Sequence, residues 1–155
     1  HGCYALKGRY RFPGTIKAMD RRLQALSDSR WVRAMVVLMK DRKHFRWHDS
    51  GDIQGPWHLK RILEVCKQTP STKHWLPTRE AQLLQYLDPD IIPTNLIIRL
   101  SATKVNGAAP SSWPWTSTVT DGKGKTCPAP DQGGKCQSCR QCWDRSVNNV
   151  QYAKH

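Results

Sequence analysis

Acidic residues are scarce in this chain: 12 Asp and Glu stand against 25 Lys and Arg, which gives a formal net charge of +13 and a pI near 9.9. The cations run along the whole length rather than in a tail, and such a field favours a polyanion, DNA or RNA, as partner. No apolar run is long enough to span a bilayer and no signal-peptide pattern is visible. The expectation is therefore no membrane and a reducing, intracellular compartment. Walker-type glycine loops are missing too, and Ser101 lacks the Gly-x-Ser-x-Gly context of a nucleophile elbow. The chain opens at His1 rather than Met, so residues upstream are expected to be missing or to have been removed.

Cysteine, by contrast, is concentrated. Cys127, Cys136, Cys139 and Cys142 form a Cys-x8-Cys-x2-Cys-x2-Cys run. Three thiolates at two-residue intervals on one tight turn can hold three corners of a cubane, and a more distant cysteine can supply the last. A four-iron cluster is the leading reading. Zinc is the alternative, although structural zinc sites usually take two separated Cys-x2-Cys knuckles, and disulfides are a third. Cys66 follows Leu59, Ile62 and Leu63 at helical spacing and belongs to a core face. Cys3 has no apolar periodicity around it, so four of the five sulfurs Cys3, Cys127, Cys136, Cys139 and Cys142 are the candidate ligands.

At 155 residues the chain is read as one domain, 1–155, able to bury a core without disulfide staples. Ile16, Met19, Leu23 and Leu26 predict a first amphipathic helix, and Trp31, Ala34, Met35, Leu38 and Met39 a second, which Ser29 can cap. Short extended runs then alternate with helices: strand 44–48, helix 56–67, strand 73–76, helix 79–87. Asn95 opens a nearly continuous apolar run to Leu100, as expected for a strand buried on both faces of a parallel sheet. Segments 116–119 and 149–153 add shorter strands, and the Gly- and Pro-rich stretches 107–114 and 120–135 read as loops. The fold class is α/β, a parallel sheet or partial (β/α) barrel, with a cysteine-rich cluster-binding segment over 120–145. Trp31, Trp47, Trp57, Trp75, Trp113, Trp115 and Trp143 are either stacking platforms for bases or core and rim aromatics.

In parallel α/β folds ligands collect at the carboxyl ends of strands. That edge is loaded here: the first strand runs into His48, Asp49, Ser50, Gly51 and Asp52, the second into Arg79 and Glu80, the third into Ser101. His48, Asp49, Asp52, Arg79 and Glu80 are the candidate catalytic residues, since a carboxylate can orient an imidazole and raise its basicity. A capped turn in which Asp52 satisfies backbone donors, and a solvent-facing first helical turn at Arg79 and Glu80, explain the same residues without chemistry.

Several motifs are specific together: Cys-Tyr-Ala-x-Lys-Gly-Arg-Tyr at 3–10, Trp-His-Asp-Ser-Gly-Asp at 47–52, Trp-Leu-Pro-Thr-Arg-Glu at 75–80, Leu-Ile-Ile-Arg-Leu-Ser-Ala at 96–102, Thr-Ser-Thr-Val at 116–119, and the cysteine run with its Cys-Pro-Ala-Pro opening at 127–144. In these the chain resembles the phage-borne gene product 88 domain. The resemblance implies a bacteriophage or prophage protein, working in the cytoplasm of a bacterial host; in family members the Cys-Tyr-Ala element is preceded by further cysteines, which this sequence does not contain. The Ser50-Gly51-Asp52 turn after a parallel strand also looks distantly like radical S-adenosylmethionine enzymes, but no Cys-x3-Cys-x2-Cys is present. The expected function is that of a four-iron cluster protein that binds or acts on nucleic acid. A small metal-dependent hydrolase of esters or phosphoesters, a radical enzyme and a zinc-clipped nucleic-acid module are the alternatives.

Overall fold

The computed structural model describes residues 6–121 and 124–154; Cys3 lies outside them. A 3-10 turn at Gly8–Arg11 precedes α1 (Pro13–Ala25) and α2 (Trp31–Met39), and then β1 (His44–Arg46), α3 (Pro56–Gln68), β2 (Lys73–Thr78), α4 (Ala81–Leu84), β3 (Leu96–Val105), β4 (Thr116–Thr120) and β5 (Asn149–Ala153) follow. The five strands pair in sequence order and all are parallel, forming a half-barrel with helices outside it. The expected α/β architecture is thus present.

Local chemistry sets the elements. Pro13 and Pro56 sit at the first turns of α1 and α3, where a missing N–H costs nothing, and Gly55, at φ 142°, makes the turn into α3 that other residues resist. Pro77 lies in β2 beyond its last pairing with β1, where the ladder on that side has ended. The Asn95 carboxamide donates to the carbonyls of Cys66, Thr69 and Thr72 at 2.9–3.0 Å, tying the end of α3 to the start of β3.

Two apolar layers form on opposite faces of the sheet. Outside, Leu59, Ile62, Val65 and Cys66 of α3 pack on Leu76, Leu96, Ile98 and Leu100 together with Met39, Trp47 and Trp113. A fully buried aliphatic side chain such as Ile62 contributes about 2 kcal/mol. Cys66 is fully buried within this layer, and burial pushes its thiol up to about 12. Inside, Trp75, Ile97 and Val150 meet the cysteine-rich connection between β4 and β5. That connection crosses the face away from α3 and closes the half-barrel from within.

Three local expectations change. In α2 Leu38 is exposed while Val32 and Val36 pack inward, because Trp-Val-Arg-Ala-Met-Val-Val-Leu-Met is apolar nearly all round and its periodicity does not single out one face. Ser29 does not cap α2; Asp28 instead accepts the Arg30 N–H at 2.8 Å. The helix expected over 79–87 shrinks to Ala81–Leu84, a single turn before Pro89. The first helix forms as expected, yet it buries no residue, and Ile16 and Leu23 stay exposed.

Candidate functional site

At the carboxyl edge of the sheet, Asp52 bridges two strand ends. Its Oδ1 accepts the Ile53 N–H at 2.8 Å and the Thr78 hydroxyl at 2.6 Å, and its Oδ2 accepts the Arg79 N–H at 2.7 Å. The carboxylate so ties the loop after β1 to the last residue of β2. Asp49 accepts the Tyr10 hydroxyl at 2.6 Å. His48 has φ 55°, uncommon outside glycine, and its ring lies 5.5 Å from that of His58. Neither His48 ring nitrogen makes a well-formed hydrogen bond, although the Pro77 carbonyl is near enough to favour its protonated form. Burial outweighs that and the Asp52 charge and pushes its pKa down. Arg79 reaches Asp52 through its backbone only, and the Arg79 and Glu80 side chains are exposed. So His48 and Asp52 share an electrostatic neighbourhood, while Asp49 is engaged with Tyr10.

The cysteine-rich connection is built differently. Thr126 and Cys127 donate their N–H groups to the Gln151 carbonyl at 3.0 and 3.1 Å, and the Thr126 hydroxyl accepts the Gln151 N–H at 2.9 Å, which fastens Cys127 beside β5. Gly133 and Gly134, both at positive φ, turn the chain towards Cys136. The Cys139 N–H closes on the Cys136 carbonyl at 2.9 Å, the tight turn that the spacing predicts. A 3-10 turn at Gln141–Trp143 then lays Cys142 on the sheet, its Sγ 3.2 Å from the Tyr152 hydroxyl. Cys142 is buried, Cys127 and Cys139 are half-buried, and Cys136 is exposed. All four are free thiols.

Arg99 holds this segment in place. It occupies the centre of β3, is 0% exposed, and forms no salt bridge among the described residues, although the Asp144 charge is near enough to favour its charged form. Its Nε donates to the Cys142 carbonyl at 3.1 Å. Nη1 reaches the carbonyls of Val147 at 2.9 Å, Thr116 at 3.3 Å and Asn148 at 3.4 Å, and Nη2 those of Gln141 at 2.8 Å and Asp144 at 2.9 Å. A guanidinium has the planar fork that such a ring of carbonyls requires. Burial pushes the Cys142 thiol up to about 11. The Tyr152 hydrogen bond and the Arg99 charge oppose the rise, and Cys127 and Cys136 lie close enough to add to it. Tyr152 is raised as well, by burial first and Cys142 next.

Among the described residues no three His, Cys, Asp or Glu side chains are gathered closely enough to grip a metal ion as they stand. The chemistry of the surroundings nevertheless fits a sulfur-ligated, negatively charged group. A fixed cation and a hydroxyl lie beside Cys142, and the Trp75 indole N–H on the same layer is buried without a partner. An orphaned donor among thiols suits a sulfur acceptor.

The sequence profile of the family described as gene product 88 matches residues 1–145. The chain belongs to the gene product 88 family. No curated protein and no solved structure matches it. For this gene product 88 protein the motif at 96–102 thus encloses the buried Arg99, and the motif at 127–144 is the segment that Arg99 holds. Arg99 and Tyr152 escaped the reading of the sequence as site residues, and Trp75 was read only as a stacking or core aromatic; the signal for Arg99 was a cation inside the apolar run from Leu96 to Leu100. Among the described residues no helix is long and apolar enough to cross a membrane.

Proposed function

We propose that this protein binds a four-iron cluster on the inner face of its half-barrel, through Cys127, Cys136, Cys139 and Cys142, and docks on nucleic acid through its basic surface. One observation carries the cluster reading: Cys127 and Cys136 each lie within electrostatic reach of Cys142, whose carbonyl accepts from a buried guanidinium that forms no salt bridge among the described residues. Burying a charge against dipoles alone is costly, and an anionic group beside it offsets that cost. When bound, the cluster would supply a rigid cross-link among four points of the segment and a centre able to take up one electron. The protein's part is to hold the turn 136–142, keep water from Cys142, and offer donors from Tyr152 and Trp75 to the sulfurs. Cys3 is the alternative to Cys127 as the distant ligand. Zinc in the same four thiolates is the competing occupant.

Anaerobic purification with iron and sulfide analysis tests this. About four irons and about four sulfides per chain with broad visible absorption are expected, and a colourless protein with about one zinc would overturn it. A second reading, a small enzyme working at the carboxyl rim, rests on the unpartnered ring of His48. It requires that His48→Ala abolish a turnover which the native protein shows, with folding unchanged.

A further inference from the structure

We propose that the groove at the amino-terminal edge of the sheet, of about 380 Å³, is where a nucleic-acid strand lays its phosphates. The inference rests on the nucleic-acid docking proposed above and gives it an address, on the edge opposite to the one where the sequence concentrates polar residues.

Two walls form the groove. Parallel pairing sets His44 opposite Lys73, and the Lys73 N–H donates to the Lys43 carbonyl at 2.9 Å, so the starts of β1 and β2 bring two lysines to one edge. The other wall is the cysteine-rich segment, which contributes Arg140, Trp143 and Arg145. Arg145 is fixed: it donates to the carbonyls of Ile92, Pro93 and Leu96 at 2.9–3.3 Å and lies over the Trp115 ring at 4.7 Å. Arg140 is held through Nη1 by the carbonyls of Gln137 and Cys139.

The one acid in the lining, Asp144, turns its carboxylate to the Ser146 N–H and hydroxyl at 2.9 and 2.7 Å, with Lys73 and Arg99 near it. Positive charge is therefore in excess. His44 reports it: after burial, the causes that disfavour its protonation are Arg140, Lys73 and Lys43. Unpaired like charges repel, and an anion between them relieves the repulsion. Cations on both walls of an open groove suit a chain of phosphates better than a single one. The lysine wall and the arginine wall would each contact successive phosphates, as in strand-tracking grooves.

The test is fluorescence anisotropy of a labelled single-stranded oligonucleotide against the full chain over a range of salt. Lys43→Glu/Lys73→Glu changes the lysine that lines the wall without cysteines and its neighbour just before β1, and Arg21→Glu/Arg22→Glu on α1 makes the same change of charge outside the lining. The groove pair should weaken binding at low salt by on the order of tenfold or more and lower the salt slope by about 1.4, while the α1 pair should change affinity by less than about threefold. Arg140→Gln should weaken binding by roughly threefold to fivefold with the melt unchanged, which keeps the test open if the double reversal fails to fold. Equal losses in the groove and α1 pairs would overturn the groove while leaving nucleic-acid docking intact. No binding by the native protein at low salt would overturn both. Competition by a free mononucleotide as effective, per phosphate, as the strand would show a single-anion site and also refute the proposal.

Discussion

Replacing Arg99 with Met removes a cation that six carbonyl contacts surround and fills much of the same space. Hydrogen bonds from a charged donor contribute about 1.5–3 kcal/mol each, and a buried carbonyl left alone costs about 1–3 kcal/mol. These terms overlap strongly, since one side chain makes all of them. Burial of the Met side chain returns roughly 2 kcal/mol. A net loss of about 4 kcal/mol is expected, at the upper end of what single substitutions do.

The outer core of α3 against Leu76 and Ile98 does not involve Arg99, so the cysteine-rich segment should open first. Urea unfolding followed by tryptophan emission would register the loss as a fall in midpoint of about 2 M if the slope is about 2 kcal/mol/M. Reaction of Cys142 with an aromatic disulfide reagent in the native protein would register the opening directly. Arg99→Lys keeps the charge but not the fork and should fall between the two. If Arg99→Met costs less than about 1 kcal/mol and Cys142 stays unreactive, Arg99 is not what holds the segment.

Two more outcomes follow from other parts of the molecule. His58 and His74 are held neutral by burial with pKa about 4, against 6.5 for an unperturbed histidine, so the unfolded chain binds more protons between those values. Stability should be full above about pH 6.5, fall as pH drops toward 4, and level off below, by on the order of 3 kcal/mol per histidine; His58→Gln should halve the slope in a series of urea midpoints, and a flat profile would refute it. Asp52→Ala removes three hydrogen bonds and should cost about 2 kcal/mol in a thermal melt, whereas an unchanged melting temperature would mean that the two strand ends are not joined through Asp52.

The parallel sheet was legible because the run from Asn95 to Leu100 is nearly continuously apolar and the connection between β1 and β2 contains a helix with a clear apolar face, as Leu59, Ile62, Val65 and Cys66 show. The cysteine turn was legible from spacing alone. What escaped was tertiary. Nothing local says that the β4 to β5 connection crosses the inner face, since that depends on Arg99 finding carbonyls more than 40 residues away. The amino-edge groove escaped for a related reason: Lys73 and Arg140 become neighbours only when parallel pairing and the cysteine turn are both in place. In α2 too many apolar residues hid the buried face. At the rim the turn in which Asp52 satisfies backbone donors is present, and the hydrogen bond from Thr78 at the end of the next strand, which no local pattern signals, joins the two strand ends.

An open half-barrel usually leaves a hollow for a guest. In this protein the hollow is already furnished by its own chain, with Trp75, Ile97, Val150 and Tyr152 lying under the segment that carries Cys142. Among the described residues a visiting molecule therefore meets the edges of the sheet before this packed interior. Any evolutionary change of ligand would have to proceed by rewriting loops at those edges, or by shortening the β4 to β5 connection until the interior is vacated.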